Sequence, residues 1–511
     1  MAQINVSNLT FCYEGSFDNI FENVSFSIDT NWKLGFIGRN GKGKTTFLNI
    51  LQGKYDYQGT ISTSVSFDYF PYQITKRQLE KCWSDLLEEI RPDCELWRVI
   101  CELEKIHLGA DVLYRPLATL SHGERTKVML ATLFSGENYF LLIDEPTNHL
   151  DRETREVVKK YLQSKKSFIL VSHDRDLLDA CVDHVLVLNR HTIEVQNGNF
   201  SSWQQNKEYM DAFHLAENEK HKREIQKLRK AADRSRAWAD KSEASKIGFD
   251  PVKEHDRGAG ARAYISSKTK KMQRRVKQIE KRITDEISEK EGLLQDIEQP
   301  VDLKLMPLQH HKNILISANE YGITYGEHKV LKDFRFELHR GERVFLQGEN
   351  GCGKSSFIKA VLMANGEGDA IGTDFVSSGH LKTASGLMIS YINQDTSFLQ
   401  GNLSDFCEKQ GLDESLLKAI LRQLDMERVQ FAKNIEDYSE GQKKKVLIAA
   451  SLLRQAHIYI WDEPLNYIDV FSRMQIEELI LRCQPTMLVV EHDVRFRERI
   501  ATRVVEMEKL L

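Results

Sequence analysis

The sequence contains few cysteines and no close pair of them. Its eight cysteines are scattered through 511 residues, and no CxxC spacing occurs. Disulfide frameworks and zinc or iron–sulfur sites draw on cysteines at characteristic spacings. The pattern therefore excludes those classes of protein and favours the reducing environment of the cytosol.

Long hydrophobic runs are also missing. A membrane-spanning helix needs roughly 18 or more consecutive apolar residues, and no stretch of the chain approaches that length. The first residues, MAQINVSNLTF, lack the basic start and apolar core of a signal peptide. We expect a soluble cytoplasmic protein with no membrane domain of its own.

The whole chain has no large excess of charge of either sign, because 71 Lys and Arg residues stand against 75 Asp and Glu residues. Residues 220–282 differ, with 21 basic against 8 acidic residues, a local charge of +13 that leaves −17 for the rest. This asymmetry favours a segment that faces nucleic acid on otherwise acidic domains. The alternative is an exposed pair of charged helices.

What the sequence does contain is one type of glycine-rich loop, twice. GRNGKGKT at residues 38–45 and GENGCGKS at residues 348–355 each follow a short apolar run. In such a P-loop the backbone amides surround phosphates, the lysine reaches the terminal phosphates and the Ser or Thr binds magnesium. The predicted phosphate-binding residues are Gly38, Asn40, Gly41, Gly43, Lys44, Thr45 and Thr46 in the first copy and Gly348, Asn350, Gly351, Gly353, Lys354, Ser355 and Ser356 in the second.

Four further motifs follow each P-loop in the same order. They are a glutamine (Gln73, Gln394), a signature segment (LSHGE at 120–124, YSEGQ at 438–442), a strand ending in an acidic pair (Asp144 and Glu145, Asp462 and Glu463) and a histidine (His173, His492). The signature serine lies 23 residues before the aspartate in both copies. The repeat predicts two similar domains in tandem.

These motifs resemble those of the ABC ATPases, and the resemblance covers nearly all of the chain outside its middle. It implies an α/β fold with two P-loop domains, at residues 1–204 and 300–511, joined by a helical linker at 205–299. In that family each ATP binds between the P-loop of one domain and the signature segment of the other, so the protein would be a monomer that pairs its own domains. The implied first site is Lys44, Thr45, Gln73, Asp144, Glu145, His173, Ser439, Gly441 and Gln442. The implied second site is Lys354, Ser355, Gln394, Asp462, Glu463, His492, Ser121, Gly123 and Glu124.

The resemblance also implies a role for each residue type in ATP hydrolysis. Glu145 and Glu463 would polarise the attacking water, and His173 and His492 would touch the γ-phosphate. Because both sites keep these groups, we predict that both hydrolyse ATP. The implied ligands of Mg²⁺ are Thr45, Gln73, Asp144, Ser355, Gln394 and Asp462. The adenine would stack on Tyr13 and Tyr325, with Phe17 and Tyr321 as alternatives.

The linker has the composition of two long helices. Residues 205–242 contain no Pro or Gly, and residues 266–298 carry apolar residues three or four positions apart. We expect an antiparallel hairpin with an irregular tip near 246–265. The seam would pair Met272, Val276, Ile279, Ile283 and Ile287 with Met210, Phe213, Ile225, Leu228 and Ala232.

A hairpin of this length between two ABC domains resembles the ABC-F proteins. The sequences of several segments, such as IYIWDEPLNYIDVF at 458–471, are similar to those of the Lsa type. The short interval of 48 residues between Gln73 and Ser121, and the absence of a coiled coil after His492, favour this antibiotic-resistance branch. The resemblance implies binding to the 70S ribosome at the tRNA exit site, next to 23S rRNA and P-site tRNA. It implies protection against lincosamides, pleuromutilins and streptogramin A. The implied ribosome or tRNA contacts are Arg223, Arg229, Arg234, Arg236, Ile247, Phe249, Arg262, Arg274 and Arg275.

Two alternatives remain at this point. A housekeeping ABC-F translation factor would share the fold, the ATP sites and ribosome binding. The energising subunit of a transporter would share only the two ATP-binding domains, and the long basic linker argues against it.

Overall fold

The computed structural model describes residues 3–13, 19–92, 94–136, 139–148, 150–188, 193–244, 274, 278, 281–282, 307–366 and 375–509. The chain divides into two compact units. Met1–Trp203 and Pro300–Leu511 together form one unit, and Gln204–Gln299 form the other.

The first α/β domain belongs to the larger unit. Its strands are β1 (Gln3–Phe11), β2 (Phe21–Asp29), β3 (Lys33–Gly38), β4 (Gln58–Ser62), β5 (Ser66–Phe70), β6 (Tyr139–Asp144), β7 (Phe168–Val171), β8 (His184–Leu188) and β9 (Ile193–Asn197). Its helices are α1 (Lys44–Leu51), α2 (Trp83–Ile90), α3 (Leu96–Lys105), α4 (His122–Phe134), α5 (Arg152–Gln163) and α6 (Arg175–Cys181). Short 3₁₀ turns lie at Gln78–Glu80, Ala110–Tyr114 and Leu117–Thr119.

The central sheet of this domain has the strand order β5-β6-β7-β3-β8-β9, in which only β9 is antiparallel to its neighbour. Strands β6 and β7 are almost continuously apolar and buried, as expected for parallel strands covered on both faces. A separate antiparallel sheet has the order β2-β1-β4. The carboxyl ends of β3, β6 and β7 meet at one edge, which is where ligands bind in such sheets.

The second domain repeats this plan. Its strands are β10 (Ile314–Tyr325), β11 (His328–His339), β12 (Arg343–Gln347), β13 (Val376–Thr383), β14 (Ile389–Ile392), β15 (Ile458–Asp462), β16 (Met487–Val490) and β17 (Arg503–Glu506). Its helices are α8 (Lys354–Ala364), α9 (Leu403–Gln410), α10 (Glu414–Gln423), α11 (Glu440–Leu453), α12 (Val470–Cys483) and α13 (Val494–Ile500), with 3₁₀ turns at Arg428–Ala432 and Ile435–Asp437. The parallel sheet β14-β15-β16-β12-β17 and the antiparallel sheet β11-β10-β13 confirm the predicted α/β fold with two domains in tandem.

The two α/β domains contact each other within the larger unit. Val470, at the start of α12, belongs to the buried hydrophobic cluster of the first domain. The neighbouring Phe471 ring lies edge-on to Trp203, with centroids 5.7 Å apart, and beneath the Arg39 guanidinium. The start of α12 therefore joins the second domain to the core of the first.

The linker unit is described mainly by one long helix, α7 (Phe200–Ala244), which confirms the first predicted helix. Its residue Ile225 is buried, but Met210 and Phe213 are each 49% exposed, so the predicted seam is not buried at its start. In the second predicted helix, residues 274, 278, 281 and 282 are helical. The tip and the predicted seam residues of that helix lie outside the described residues.

Candidate functional site

Both P-loops connect a buried strand to a helix. Helix α1 follows β3 and begins after Gly43, whose φ of 105° is in the left-handed region. A Cβ at Gly43 would lie 2.4 Å from Ile20 Cγ2, so both the backbone angle and the space require glycine. Gly353, with φ of 97°, begins α8 in the same way, and a Cβ there would meet Val330 Cγ1 at 2.8 Å.

The P-loop lysines are folded onto their own loops. Lys44 Nζ donates to the carbonyl oxygens of Gly38 at 2.7 Å and Arg39 at 3.2 Å. Lys354 Nζ donates to Gly348 O and Glu349 O, each at 2.8 Å. Burial lowers the pKa of Lys44, while Asp469 of the second domain, Glu145 and Asp144 oppose this effect. Backbone carbonyls of its own P-loop thus hold each ammonium group at the place where the predicted phosphates would bind.

Each acidic pair lies at the carboxyl end of a parallel strand, β6 or β15. The glutamates are unusual because Glu145 has φ of 50° and Glu463 has φ of 49°, although neither is glycine. The amide of Glu145 donates to Val171 O and that of Glu463 to Val490 O, both at 2.9 Å. Such a conformation costs roughly 1–3 kcal/mol and tends to occur at functional sites. The two domains hold the same strained turn at the same place.

The aspartates and P-loop hydroxyls fit a magnesium ion. Thr45 Oγ1 donates to Asp144 Oδ2 at 3.0 Å, and Ser355 donates to Asp462. Within the described part of the chain, Asp462 Oδ1 is buried without a hydrogen-bond partner. Burial raises the pKa of Asp462 to about 6 and also raises that of Asp144. Carboxylate and hydroxyl oxygens are hard oxygen ligands of the kind that Mg²⁺ prefers.

The two glutamates have different surroundings. Glu463 Oε2 accepts from Gln394 Nε2 at 2.9 Å and Asn466 Nδ2 at 2.7 Å, and Glu463 Oε1 lies 3.6 Å from His492 Nε2. Burial opposes ionisation of Glu463, but the contacts with His492 and Asn466 lower its pKa. Burial and the nearby Asp144 instead raise the pKa of Glu145 to about 8. Its Oε1 lies 3.3 Å from His173 Nε2, and burial lowers the pKa of that histidine.

The structure does not bring Gln73 to the first acidic pair. Its side chain is exposed and makes none of the hydrogen bonds of the described residues. Gln394, its predicted counterpart, is 2.9 Å from Glu463 as noted above. The reason is the strand register, because Phe70 pairs with Ile143 and Ile392 with Trp461, each one residue before the aspartate. Tyr72 rather than Gln73 therefore occupies the position of Gln394.

The signature segments begin helices α4 and α11 through identical capping boxes. Ser121 Oγ accepts from Glu124 N while Glu124 accepts from Ser121 N, and Ser439 and Gln442 do the same. The side chains of Glu124 and Gln442, both predicted to bind nucleotide, are thus used in capping. Their role in the structure is to hold the serine at the helix start.

The signature segment of the second domain faces the first P-loop. Asn40 Nδ2 donates to Tyr467 O at 2.6 Å. A Cβ added to Gly441 would lie 2.6 Å from that carbonyl oxygen and 3.4 Å from Asn40 Nδ2, so only glycine fits this approach. Gly123, its counterpart in the first domain, has Thr154 Cγ2 3.2 Å from the place of a Cβ.

A cavity of about 460 Å³ lies at the second P-loop. The second domain contributes Lys354, Ser355, Gln394, Glu463, Asn466 and His492 to its wall. The first domain contributes His122, from its signature segment, and Arg155. The volume is within the roughly 300–1,000 Å³ of ligand pockets. Each P-loop therefore faces residues from the signature segment of the other domain.

The predicted adenine-stacking tyrosines lie beside the P-loop helices. Tyr13 Oη is 2.7 Å from Thr46 Oγ1, and Tyr325 Oη is 3.0 Å from Ser356 Oγ. The Tyr13 side chain is 42% exposed, which leaves its ring accessible to a ligand. Tyr321, one of the alternatives, is buried in the sheet core, and Phe17 lies outside the described residues.

Comparison with known families decides the identity of these domains. The sequence pattern described as "ABC transporter" matches residues 21–148 and 331–466, which is more than half of the chain. The chain belongs to the ABC transporter family. The ABC domains bind ATP, and the protein is an ATP hydrolase that converts ATP and water to ADP and phosphate.

Two relatives match nearly the whole ABC chain. It is similar to the ribosome protection protein VmlR of Bacillus subtilis (strain 168), with 26% identity over 496 residues, 95% of this chain and 84% of that protein. It is also similar to the ATP-binding protein Uup of Buchnera aphidicola subsp. Acyrthosiphon pisum (strain APS), with 27% identity over 537 residues, 100% of this chain and 81% of that one.

Solved structures with a similar fold include the archaeal ribosome recycling factor aABCE1 in complex with the ribosomal stalk protein aP1. The TM-score is 0.60 at 18% identity, over 98% of this ABC chain and 87% of that one. This likeness shows the fold alone. Among the described helices, none is long and apolar enough to cross a membrane.

Motif reasoning missed several residues of the ABC sites. Asn466 binds the carboxylate of Glu463 from three positions further along the chain. Tyr69 Oη donates to Asp144 Oδ2 at 3.0 Å from the neighbouring strand. Tyr69 pairs with Leu142 of β6, and Asp144 lies two residues after Leu142, so both side chains point to the same side of the sheet.

Proposed function

We propose that this protein is an ABC-F ATPase of the antibiotic-resistance branch, which binds the 70S ribosome in the cytoplasm and protects it from drugs of the peptidyl transferase centre. The drug classes are lincosamides, pleuromutilins and streptogramin A. ATP is bound with Mg²⁺ by the oxygen ligands described above. The protein works as a monomer whose two ABC domains pair with each other.

The observation that carries this proposal is the long basic helix placed between two complete ABC domains. Helix α7 has 45 residues, and its residues Arg223, Arg229 and Arg234 are exposed. Arg274, in the second predicted helix, is exposed as well. Exposed arginines on a helix suit rRNA and tRNA phosphates, to which they bind in a salt-dependent way. The side chain of Arg236, and residues Ile247, Phe249, Arg262 and Arg275, lie outside the described residues.

The relatives support a role on the ribosome. One relative with 26% identity over 95% of the chain is named a ribosome protection protein. The segments that resemble the Lsa type support the resistance branch, and they include the strand and turn at 458–471.

The mechanism that follows is an ATP-driven clamp. Each ATP binds between a P-loop and the opposite signature segment, so binding favours closure of the two domains. The closed form binds the drug-stalled ribosome at the tRNA exit site, where the hairpin displaces P-site tRNA and its tip remodels the drug pocket. Hydrolysis reopens the clamp. Nucleotide and ribosome binding are coupled because the closed state has the higher affinity for the ribosome.

A housekeeping ABC-F translation factor is the second candidate. It is favoured by the similarity to Uup, which is 27% identical over the full chain and is named only an ATP-binding protein. The ATP sites and ribosome binding would be the same in both cases. Only the response to drugs separates them.

A susceptibility assay tests the proposal. A drug-sensitive Gram-positive host would express the wild type or the pair Glu145→Gln and Glu463→Gln, and growth would be measured in lincomycin, tiamulin and virginiamycin M. The matched control is Glu88→Gln with Glu408→Gln, the same chemical change at two exposed positions. We expect protection by the wild type and the control but not by the catalytic pair. Absence of protection by the wild type, together with ATP-dependent ribosome binding, would favour the housekeeping factor.

A further inference from the structure

The two nucleotide sites differ at the position of one glutamine. The pairing of Phe70 with Ile143 and of Ile392 with Trp461 makes Tyr72 the counterpart of Gln394. In the first domain, Pro71 and Tyr72 separate Phe70 from Gln73. In the second domain, only Asn393 separates Ile392 from Gln394, so the first domain has one additional residue here. The first domain therefore carries a tyrosine where the second carries an amide.

The two counterparts have unrelated contacts. Gln394 Nε2 donates to Glu463 Oε2 at 2.9 Å. Tyr72 Oη donates to Asp68 Oδ2 at 2.9 Å, and Asp68 is held in turn by Arg91 at 3.1 Å. The tyrosine is thus fixed to an ion pair of its own domain instead of the catalytic glutamate.

The consequence is seen at the two glutamates. Glu463 is oriented by two amides, from Gln394 and Asn466. Glu145 Oε2 accepts from His173 N at 3.4 Å, and Glu145 Oε1 lies 3.3 Å from His173 Nε2, so among the described residues no side-chain amide orients this carboxylate. A group that activates water must be held in the productive orientation by its neighbours. The second site meets this requirement better than the first.

An independent difference lies at the rim of the first site. Arg39 and Lys42, in the first P-loop, form ion pairs with Asp425 at 2.7 Å and Glu427 at 2.6 Å in the second domain. These pairs fasten the first P-loop to the opposite domain.

The second P-loop cannot form the same pairs. Its residues at the equivalent positions are Glu349 and Cys352. In the second domain, Asp425 and Glu427 precede the signature Ser439 by 14 and 12 residues. The residues at the same distances before Ser121 in the first domain are His107 and Gly109, and neither carries a carboxylate. His107 and Asp425 also share a left-handed backbone, with φ of 56° and 63°. The first site is therefore fastened across the domains by contacts for which the second site lacks the charges.

In contrast to the expectation from the motifs that both sites hydrolyse ATP, we infer that only the second site does so in each cycle, with Gln394 as the positioning residue for Glu463. The first site retains its ATP. In the second site, the oxygen of water bonds to the γ-phosphorus as the bond to the β,γ-bridging oxygen breaks. The proton of the water goes to the Glu463 carboxylate, and ADP and phosphate are the products. The inference rests on the ATPase activity and not on the proposed ribosomal role.

The test measures which nucleotide stays bound. The full-length protein would be incubated with labelled ATP and Mg²⁺, passed rapidly through a desalting column and analysed for ATP and ADP per chain. We expect one ATP and one ADP in the wild type, two ATP in Glu463→Gln, and one of each in Glu145→Gln. Two ADP in the wild type, or two ATP in Glu145→Gln, would overturn the inference.

A second pair of variants tests the positioning residue. Loss of a group that orients a catalytic ligand lowers activity about 10–100-fold. We expect Gln394→Ala to lower kcat at least tenfold more than Gln73→Ala, which changes the exposed glutamine of the first domain. We also expect Gln394→Ala to hold ATP at the second site, where the wild type holds ADP. Equal losses of kcat in the two variants would contradict the register argument. Because no ribosome is present, neither result depends on the proposed function.

Discussion

Arg175 of the first domain and Glu477 of the second form a buried, bidentate ion pair across the domain interface. Their side chains are 4% and 0% exposed, and Arg175 Nη1 lies 3.2 Å from Glu477 Oε2. Arg499 also reaches Glu477, at 3.0 Å, and Asp493 lies 3.6 Å from Arg175. Since Arg175 begins the helix after His173, this pair connects the histidine of the first ATP site to the second domain.

Removing one partner of this pair should strongly destabilise the protein. Glu477→Ala leaves Arg175 buried without its main counter-charge, and breaking a buried pair costs about 3–5 kcal/mol. We expect a clear fall in the midpoint of thermal unfolding. The control is Glu320→Ala, which removes the exposed pair with Arg335, whose side chains are 62% and 72% exposed. That loss should be at most about 1 kcal/mol. Equal shifts in the two variants would contradict the assignment.

Stability should depend on pH through Asp469. Burial opposes ionisation of this carboxylate, but Lys445, 3.0 Å away, and the Ser472 amide hold its pKa well below the ordinary value. A carboxylate with a lowered folded pKa adds stability above its unfolded pKa of about 3.9 and loses that contribution as pH falls further.

Asp469→Asn isolates this charge, because asparagine caps a helix as well as aspartate does. The wild type should be more stable than Asp469→Asn at pH 7. The difference in unfolding free energy should shrink as the pH falls below about 4, as measured by denaturant unfolding across that range. A difference that stays constant down to pH 3 would show that the charge is not responsible.

The position of each P-loop and each acidic pair could be predicted from the sequence, because each depends on only a few consecutive residues. The P-loops, the acidic pairs and their order follow from a strand, a tight turn and a helix start, which local residue types encode. The strand register alone shows that Tyr72, and not Gln73, is the positional counterpart of Gln394. The pair of Arg175 and Glu477 joins residues 302 positions apart, so no local pattern indicates it. Likewise, the capping role of Glu124 depends on where α4 begins.

Tyr69 should support magnesium binding at the first site. Its hydroxyl and that of Thr45 both donate to Asp144 Oδ2 at 3.0 Å, so they orient the carboxylate. Tyr69→Phe removes one of these bonds, and the affinity for Mg²⁺ should fall about tenfold. A Mg²⁺ titration of the binding of a fluorescent ATP analogue measures this. The matched control is Tyr391→Phe, whose hydroxyl donates to Asn393 at 3.3 Å and should matter less.

The ring of Tyr13, and not its hydroxyl, should carry adenine binding. Stacking of a base on an aromatic ring contributes about 1–3 kcal/mol by alanine substitution. We therefore expect Tyr13→Ala to weaken ATP binding roughly tenfold. Tyr13→Phe loses only the contact with Thr46 Oγ1 and should bind nearly as well as the wild type. Equal losses in both variants would assign the role to the hydroxyl instead.

The most direct test of the central claim is cosedimentation of the protein with 70S ribosomes. Glu145→Gln with Glu463→Gln should keep ATP bound and the two domains closed. We predict that this double variant pellets with ribosomes in ATP and that the wild type in ADP does not, with binding that weakens as salt rises because arginines contact phosphates. If the double variant in ATP pellets no better than the wild type in ADP, the protein is not an ATP-driven ribosome-binding clamp.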